Sequence, residues 1–412
     1  MITLDVGGTS ADIGVAPGGE LRMKHLLDTQ VGDYDAMVPM VDIATIGAGG
    51  GSIAYLDEGG MFRVGPRSAG ARPGPACYGF GGVEPTVTDA MVTLGWFRSD
   101  ALADSGLTIK PELAATAIDT HIAQPLGLDR LSAAAGIYRI AINNMVEAIR
   151  VNSVSKGYDP RDFALVAEGG AGGAFAVQAA AELSIPRVIV PANPGVGAAA
   201  GLLAADTKFE YRNTLWEDLD NPDLERITKA YQDLQTTART RLADSGFDAG
   251  ETLLRMSAEC RYAGQGYELS VPVPTLPVDE SWVHRVVEAF HVAHETAYLR
   301  RFEDKPVMLI NVGLAAIGQV VPLQQNAIEA GDTSAPESAF AQQREIHFVQ
   351  NNQAVPFLTD FVLRSELKAN NIVSGPAVIE QSDSTTVVPP GAVVRVDTYG
   401  SLIITFEGPG DD

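Results

Sequence analysis

Apolar residues alternate with others from the first positions of the chain: Ile2, Leu4 and Val6, then, after Gly7-Gly8-Thr9-Ser10, Ile13 and Val15. A period of two predicts strands, here two strands joined by a glycine turn. Residues 38–46 predict a further strand, and the runs 52–56 and 61–64 bracket Asp57-Glu58-Gly59-Gly60, a hairpin signal. From 65 to 85 the chain is almost entirely Gly, Pro, Arg and small residues. A loop that long and so poor in bulk is of the kind that carries binding or catalysis. The period then changes. Ile137, Ile140, Met145 and Ile149 mark one face of a helix. Segments 163–167, 174–183, 187–190 and 197–205 read strand, helix, strand, helix, which implies right-handed crossovers in a parallel sheet. Leu224, Ile227, Tyr231, Leu234 and Leu242 predict a surface helix ending near Gly246. Beyond it 255–274 reads extended, 282–298 helical and 307–317 extended, and the Val/Ile-rich, turn-punctuated 346–406 reads as β.

Grouped by composition, these elements predict a core over residues 1–322, a linker over 323–344 rich in Ala, Glu, Ser, Pro and Asp, and a β-rich domain over 345–412. A chain whose first residues already form a strand reads as one half of a larger unit. The formal charge of −23, from 52 acidic and 29 basic residues, excludes nucleic acid and anionic membrane surfaces as natural partners. Two cysteines, Cys77 and Cys260, exclude a disulfide scaffold and suit a reducing cytosol.

Within this frame a few motifs carry chemistry. Asp5-Val6-Gly7-Gly8-Thr9-Ser10-Ala11-Asp12 lies between two strands. The amides of such a turn can approach phosphate oxygens closely, and Asp5 at the strand end can hold Mg²⁺ or its waters. An ordinary hairpin turn would use the same residues. The G-x-G pattern of 47–52 leads into a hairpin, not a helix, so a close backbone approach fits it better than a dinucleotide site. Glu168-Gly169-Gly170-Ala171-Gly172-Gly173 runs from a strand into a helix, a natural anion or nucleotide contact and equally a packing turn. Arg63, Arg67 and Arg72 cluster in the glycine-rich stretch, where guanidinium forks suit carboxylate or phosphate and where solvated loop arginines are the plainer reading. Asp89, in a Thr-Asp pair after Pro85, serves either as a polar site contact or at a helix N-terminus. His291 and His294 with Glu295 are spaced for a solvated helix face, in the wrong order for a zinc-hydrolase helix.

Seven segments together resemble the hydantoinase/oxoprolinase family, of the N-methylhydantoinase A subunit type: DVGGTSADIGV, VPMVDIATIGAGGGSIA, VGPRSAGARPGPACYGFGG, PTVTDAMVTLG, GYDPRDFALVAEGGAGG, RYAGQGYEL and GPAVIEQSDSTTVVPPG. The resemblance runs along the whole chain. It implies an α/β fold of the RNase H-like, actin/hexokinase type, as a half-clamp followed by a small β-rich domain. It also implies ATP and Mg²⁺ as cofactors, with Asp5 and Asp12 on the metal, and Gly7, Gly8, Thr9, Ser10, Gly169, Gly170, Ala171 and Gly172 on the nucleotide. The chain then corresponds to the family's C-terminal part, its partners being the missing N-terminal half and a B-type subunit in an oligomer. The family pattern has His where Ala44 and Phe175 stand, and Phe where Glu168 stands.

The resemblance therefore implies a cytoplasmic ATP-dependent hydrolase of a cyclic amide such as a hydantoin, 5-oxoproline or a lactam, acting through a phosphorylated intermediate. Asp5, Asp12, Asp89, Arg67 and Arg72 are the candidate catalytic residues. A ketone carboxylase subunit would use the same nucleotide machinery, and a non-catalytic truncated scaffold would fit the two lost histidines.

Overall fold

A computed structural model describes residues 1–24, 30–31, 34–35, 40–100, 106–321 and 325–406. The chain forms two compact units, Met1–Ala200 with Gln325–Asp412, and Gly201–Gln324.

The first unit is built on an eight-stranded sheet. Its order is Ile372–Ser374, Ala392–Val396, Leu402–Phe406, Arg187–Val190, Ala164–Glu168, Ile2–Val6, Ala11–Val15, Ile43–Ile46. Ile2–Val6 and Ala11–Val15 are the expected antiparallel hairpin, extended by Ile43–Ile46. On the other side of Ile2–Val6, the strands Ala164–Glu168 and Arg187–Val190 run parallel to it, with the helix Gly172–Leu183 between them in sequence. Three antiparallel strands continued by two parallel ones make the RNase H-like α/β arrangement that the resemblance implied. Residues 38 and 39 of the predicted 38–46 strand lie outside the described residues.

Ile2, Leu4 and Val6 are fully buried and share an apolar core with Ile137, Met145 and Ile149 of the helix Arg130–Ser153 and with Phe175. The intervening Thr3 and Asp5 fall on the opposite face and are half-buried. One face of the hairpin therefore makes the core, and the other carries the polar residues Thr3 and Asp5.

The C-terminal segment is β-rich, as expected, and is woven into the first unit. Leu402–Phe406 pairs with Arg187–Val190, and Phe340–Gln350, Gln353–Leu363, Ala377–Glu380 and Thr385–Val388 form a second sheet whose Phe361, Val378 and Ile379 enter the same core. Pairing of this kind covers an edge of the main sheet that would otherwise be open. The compact units place one boundary at 324/325, two residues from the expected 322/323, another at 200/201, and none at 344/345. Part of the expected linker is strand (Phe340–Gln350), and Ala330 and Ser334 bridge to Ala369 and Ile372. Residues 322–324 of that linker, and 407–412 of the expected β domain, lie outside the described residues.

The second unit is a four-stranded antiparallel sheet in the order Thr207–Asp218, Val307–Gly318, Thr252–Tyr262, Leu269–Pro272. The helices Leu224–Asp244 and Glu280–Tyr298 bury Ile227, Tyr231, Leu242, Trp282, Val286 and Phe290 in one core with Tyr262, Leu309 and Val312. Both helices begin at an aspartate, Asp223 and Asp279, whose carboxylate accepts from an amide in the first turn.

Candidate functional site

The site begins with register. Asp5 stands opposite Asp12 in the antiparallel pair and opposite Glu168 in the parallel one, while Asp12 stands opposite Thr45. Directly opposed residues share a face of a sheet. Thr45, Asp12, Asp5 and Glu168 therefore form a polar row across four strands, on the face that the core does not use. Thr45 Oγ1 donates to Asp12 Oδ1. Burial, and then the charge of Asp12, push the Asp5 carboxyl above its ordinary value. Glu168 is pushed up by burial and then by Asp5. The row holds crowded negative charge with no cationic side chain paired to Asp5, Asp12 or Glu168 among the described residues.

Above the row the Gly7-Gly8-Thr9-Ser10 turn closes the hairpin, with Gly7 N donating to Ser10 O at 3.1 Å. Its carbonyl edge is used up from behind: Gly50 N donates to Gly7 O (3.0 Å) and Gly51 N to Gly8 O (2.6 Å). The close approach demands glycine, since a Cβ on Gly49 or Gly51 would lie 2.7 or 2.8 Å from those carbonyl oxygens. The 47–52 loop is thus the backbone support of the turn, the close approach expected from its composition. Over Gly7 and Gly8 themselves a Cβ would meet nothing within 4 Å. Among the described residues, no backbone acceptor is assigned to the amides of Gly8 and Thr9. These exposed amides over open space are a fit for an anion. Thr9 Oγ1 lies 3.1 Å from Ser68 Oγ, which fixes the tip of the turn to the 62–68 strand.

The second glycine loop arrives at the same place. Gly169 adopts φ 78°, and any Cβ there would collide with Asp5 Oδ1 and Val6 O. Ala171 N donates to Val6 O at 3.0 Å and caps the helix Gly172–Leu183, while Gly169 N donates to Pro194 O at 2.8 Å. Gly7, Gly8, Thr9, Ser10, Asp5, Asp12, Gly169, Gly170, Ala171 and Gly172 are thereby gathered at one end of the sheet, where the strands Ile2–Val6 and Ala164–Glu168 finish. Ligands of open α/β sheets bind at such strand ends.

The remaining candidates are placed differently. Asp89 is fully buried as the third residue of a capping box: Oδ2 accepts from Ala76 N (3.1 Å), Thr86 N (2.8 Å) and Thr86 Oγ1 (2.8 Å), and Oδ1 from Cys77 N (2.7 Å). Both oxygens are committed to holding the glycine-rich loop on the helix Val87–Leu94. Arg67 is paired with Glu84 at 3.0 Å and lies over the Tyr55 ring, one residue from the Ser68 contact to Thr9. Arg72 lies over Phe80 and Arg63 pairs with Asp57. Cys77 is buried, and burial beside Asp89 raises its thiol strongly. Ala44 stands opposite Ile13 in the sheet, and Phe175 stacks on Tyr138 in the core with ring centroids 5.6 Å apart.

His291 and His294 depart from the expected solvated face. Both are buried, His291 Nδ1 2.6 Å from Tyr262 Oη, and His294 with Gln265 Nε2 (2.7 Å) on one ring nitrogen and Arg300 O (2.7 Å) on the other. Tyr262 and Gln265 belong to the RYAGQGYEL segment, whose role here is therefore to satisfy two core histidines. Sequence reasoning also missed Thr45 and Ser68 as site residues, and noticed Glu168 without placing it. Only register with Ile2–Val6 and Ala11–Val15 brings Glu168 and Thr45 in.

Asp5 and Asp12 are carboxylates, hard oxygen donors, opposite each other across the hairpin. That set fits Mg²⁺, which takes one or two carboxylates and completes its shell with water and phosphate. Among the described residues no group of three or more His, Cys, Asp or Glu is disposed to cage a metal. No described helix is long and apolar enough to cross a membrane.

A glycine turn over paired aspartates, with a second glycine loop beside it, closes one end of an RNase H-like α/β sheet. Two family models match the chain: "Hydantoinase/oxoprolinase" over residues 1–211 and "Hydantoinase/oxoprolinase C-terminal domain" over residues 217–404. The chain belongs to the hydantoinase/oxoprolinase family. It is 37% identical to the caprolactamase subunit alpha of Pseudomonas jessenii over 98% of its own length and 58% of that protein's. A solved structure of the ATP-dependent caprolactamase from the same organism superposes with TM-score 0.82 at 36% identity, covering 99% of this chain and 59% of that one. A nucleotide-free acetone carboxylase superposes with TM-score 0.85 at 25% identity, covering 98% and 58%. The chain thus spans somewhat over half the length of these relatives.

Proposed function

We propose that this chain is part of an ATP-dependent cyclic-amide hydrolase, and that it supplies the phosphate- and Mg²⁺-handling end of the active site. The observation that carries the reading is the convergence of the Gly7–Ser10 turn, the Asp5/Asp12 pair and the 169–172 loop at one sheet end. The amides of Gly8 and Thr9 and the hydroxyls of Thr9 and Ser10 would bind phosphoryl oxygens. Asp5 and Asp12 would hold Mg²⁺, which when bound would offset phosphate charge and the Asp12 repulsion that adds to burial in raising Asp5. Arg67, if released from Glu84, would meet substrate or product charge, and Arg72 would do so from over Phe80. Asp89 enters this proposal only through the loop it holds.

Such a site suits amide chemistry because an amide is a poor electrophile. In the proposed reaction the amide oxygen takes the γ-phosphoryl as ADP leaves, water adds to the activated carbon, the ring nitrogen departs, and a second water releases phosphate from the acyl phosphate. Positioning and charge stabilisation do most of this work, and neither needs a nucleophilic side chain. The rest of the site would come from the counterpart of the relatives' remaining length and from a B-type subunit, since the relatives are named as subunits.

The test is ATP turnover dependent on hydantoin, 5-oxoproline or a lactam, with the full assembly reconstituted. Asp5→Ala and Asp12→Ala should each lower it by about a hundredfold or more, the scale of a lost electrostatic contact at developing charge. Unchanged turnover in both variants would remove the phosphate-site assignment. The high structural likeness to acetone carboxylase favours one second reading, a ketone carboxylase subunit. It wins if a ketone with bicarbonate, and no cyclic amide, stimulates ATP consumption.

A further inference from the structure

The turn between Ala377–Glu380 and Thr385–Val388 has no role in the reading above, although it belongs to the long motif of residues 375–391. In the folded chain it meets two loops at the site's end of the main sheet. Asp383 Oδ2 accepts from Gly195 N at 3.0 Å. The approach is so close that a Cβ on Gly195 would lie 2.7 Å from both Asp383 O and Asp383 Oδ2, and one on Gly170 3.3 Å from Asp383 O. Gly169 N donates to Pro194 O, in the loop whose Gly195 contacts Asp383. The 169–171 loop is therefore flanked on one side, at Gly169, by Asp5 and Val6, and on the other, at Gly170, by Asp383.

Asp383 does more than this holding requires. Oδ2 satisfies Gly195, but Oδ1 is buried and has no hydrogen-bond partner among the described residues, and Ser384 Oγ is in the same state. The nearby guanidinium of Arg364 bonds Val190 O, Pro191 O and Gly400 O through Nη2 and Gln381 Oε1 through Nη1, and makes no hydrogen bond to Asp383 among the described residues. A carboxylate oxygen buried without a donor is unfavourable, and one acceptor atom would have been enough for Gly195. The second oxygen is thus an acceptor awaiting a donor that does not come from these neighbours.

We propose that Asp383 is the nucleoside-end contact of the site. Oδ2 positions Gly195 and, with it, the 169–171 loop, and Oδ1 accepts a hydrogen bond from an O–H or N–H donor of the bound nucleoside. The proposal rests on the ATP reading of the Asp5–Asp12 turn and extends it across the loop to the other end of the nucleotide.

Direct binding of Mg-ATP and of Mg-tripolyphosphate to the full assembly, measured by calorimetry, tests it. Asp383→Asn keeps an acceptor for Gly195, and it should weaken ATP about tenfold, the scale of a hydrogen bond to a charged group, while leaving tripolyphosphate within about twofold. Asp383→Ala should weaken ATP further and tripolyphosphate little. If 2′-deoxy-ATP binds wild type weakly and is indifferent to Asp383→Asn, the donor is the 2′-hydroxyl; if it responds as ATP does, the donor is another group of the nucleoside. Wild-type ATP affinity in both variants would overturn the proposal. So would equal losses for ATP and tripolyphosphate, because Asp383 would then serve only the fold. Failure of the wild-type assembly to bind either ligand contradicts the ATP reading itself, and it shows before any substitution is made.

Discussion

Two clusters of polar side chains, one in each unit, are built on opposite principles. In the second unit His291, His294 and Tyr262 are buried, Gln265 is half-buried, and their polar atoms are paired: Phe302 N donates to Tyr262 Oη, which contacts His291, and His294 has a partner on each ring nitrogen. In the first unit Asp12, Asp5 and Glu168 stand side by side with like charge, and Asp5 and Glu168 are pushed above their ordinary values. A satisfied network rigidifies a core, and its members are worth their place without any ligand. A row in which burial, and then a neighbour's charge, raise the carboxyls of Asp5 and Glu168 costs stability, and such perturbation clusters where chemistry is done. One cluster is complete in itself, and the other calls for a counter-charge.

The largest expected effect breaks the satisfied cluster. His294→Ala removes a packed ring and leaves Gln265 and the Arg300 carbonyl without their partner, so thermal or urea unfolding of the chain should show a loss of about 3 kcal/mol. Tyr262→Phe keeps the ring and deletes only the hydroxyl shared by Phe302 N and His291, and should cost roughly 1.5 kcal/mol. If either variant is as stable as wild type, the second-unit cluster is not structural.

The next is a pH effect with a definite sign. Burial holds His291 below its ordinary value of 6.5, with Arg301 adding to the depression and Glu288 opposing it. The unfolded chain then binds a proton more readily than the folded one, so this histidine's contribution is present above pH 6.5 and is lost as pH falls below it. Melting followed from pH 7.5 down to 5 should fall more steeply in wild type than in His291→Gln, which has no such proton to take up. Parallel slopes would show that His291 is not held neutral by the fold.

Smallest is Thr45→Val at the rim of the carboxylate row. Thr45 is exposed, and losing its bond to Asp12 should move stability by no more than about 0.5 kcal/mol, within the range of surface changes. Its effect on Mg-ATP affinity should exceed that, since the bond orients a proposed metal ligand. A larger stability loss than this would place Thr45 in the scaffold.

The same contrast explains what the chain's sequence discloses. Ile2, Leu4, Val6, Ile13 and Val15 alternate so cleanly that the hairpin, its turn and its two aspartates are legible locally, and Arg187–Val190 is bounded as expected. Pairing between distant strands leaves no such mark. Nothing in the alternation of residues 392–406 says that they will join Arg187–Val190, so a segment that reads as a separate β domain becomes part of the main sheet. Thr207–Asp218 was not anticipated because most of its residues stay exposed in the fold and its pattern has little contrast. The histidines were recoverable: Val283, Val286, Phe290 and His294 fall at helical spacing on one buried face, and weighing that face above the polarity of histidine would have placed His294 inside. Glu168 was visible as a departure, but only parallel register shows that it faces Asp5.

The central claim is that the carboxylate row is kept for a ligand at a cost to the fold, and Asp5→Asn tests it most directly. The folded-state values of Asp5 and Glu168 lie above their ordinary ones, so their ionisation works against folding as pH rises through that window. With one of the facing charges removed, Asp5→Asn should melt a little higher than wild type at pH 7, by about 0.5 kcal/mol once screening by solvent is allowed for. The same variant should lose the Mg-ATP binding and the substrate-dependent ATP turnover of the full assembly. A higher melting temperature together with lost binding is the predicted result. An Asp5→Asn protein that melts lower than wild type while binding Mg-ATP unchanged would contradict the account.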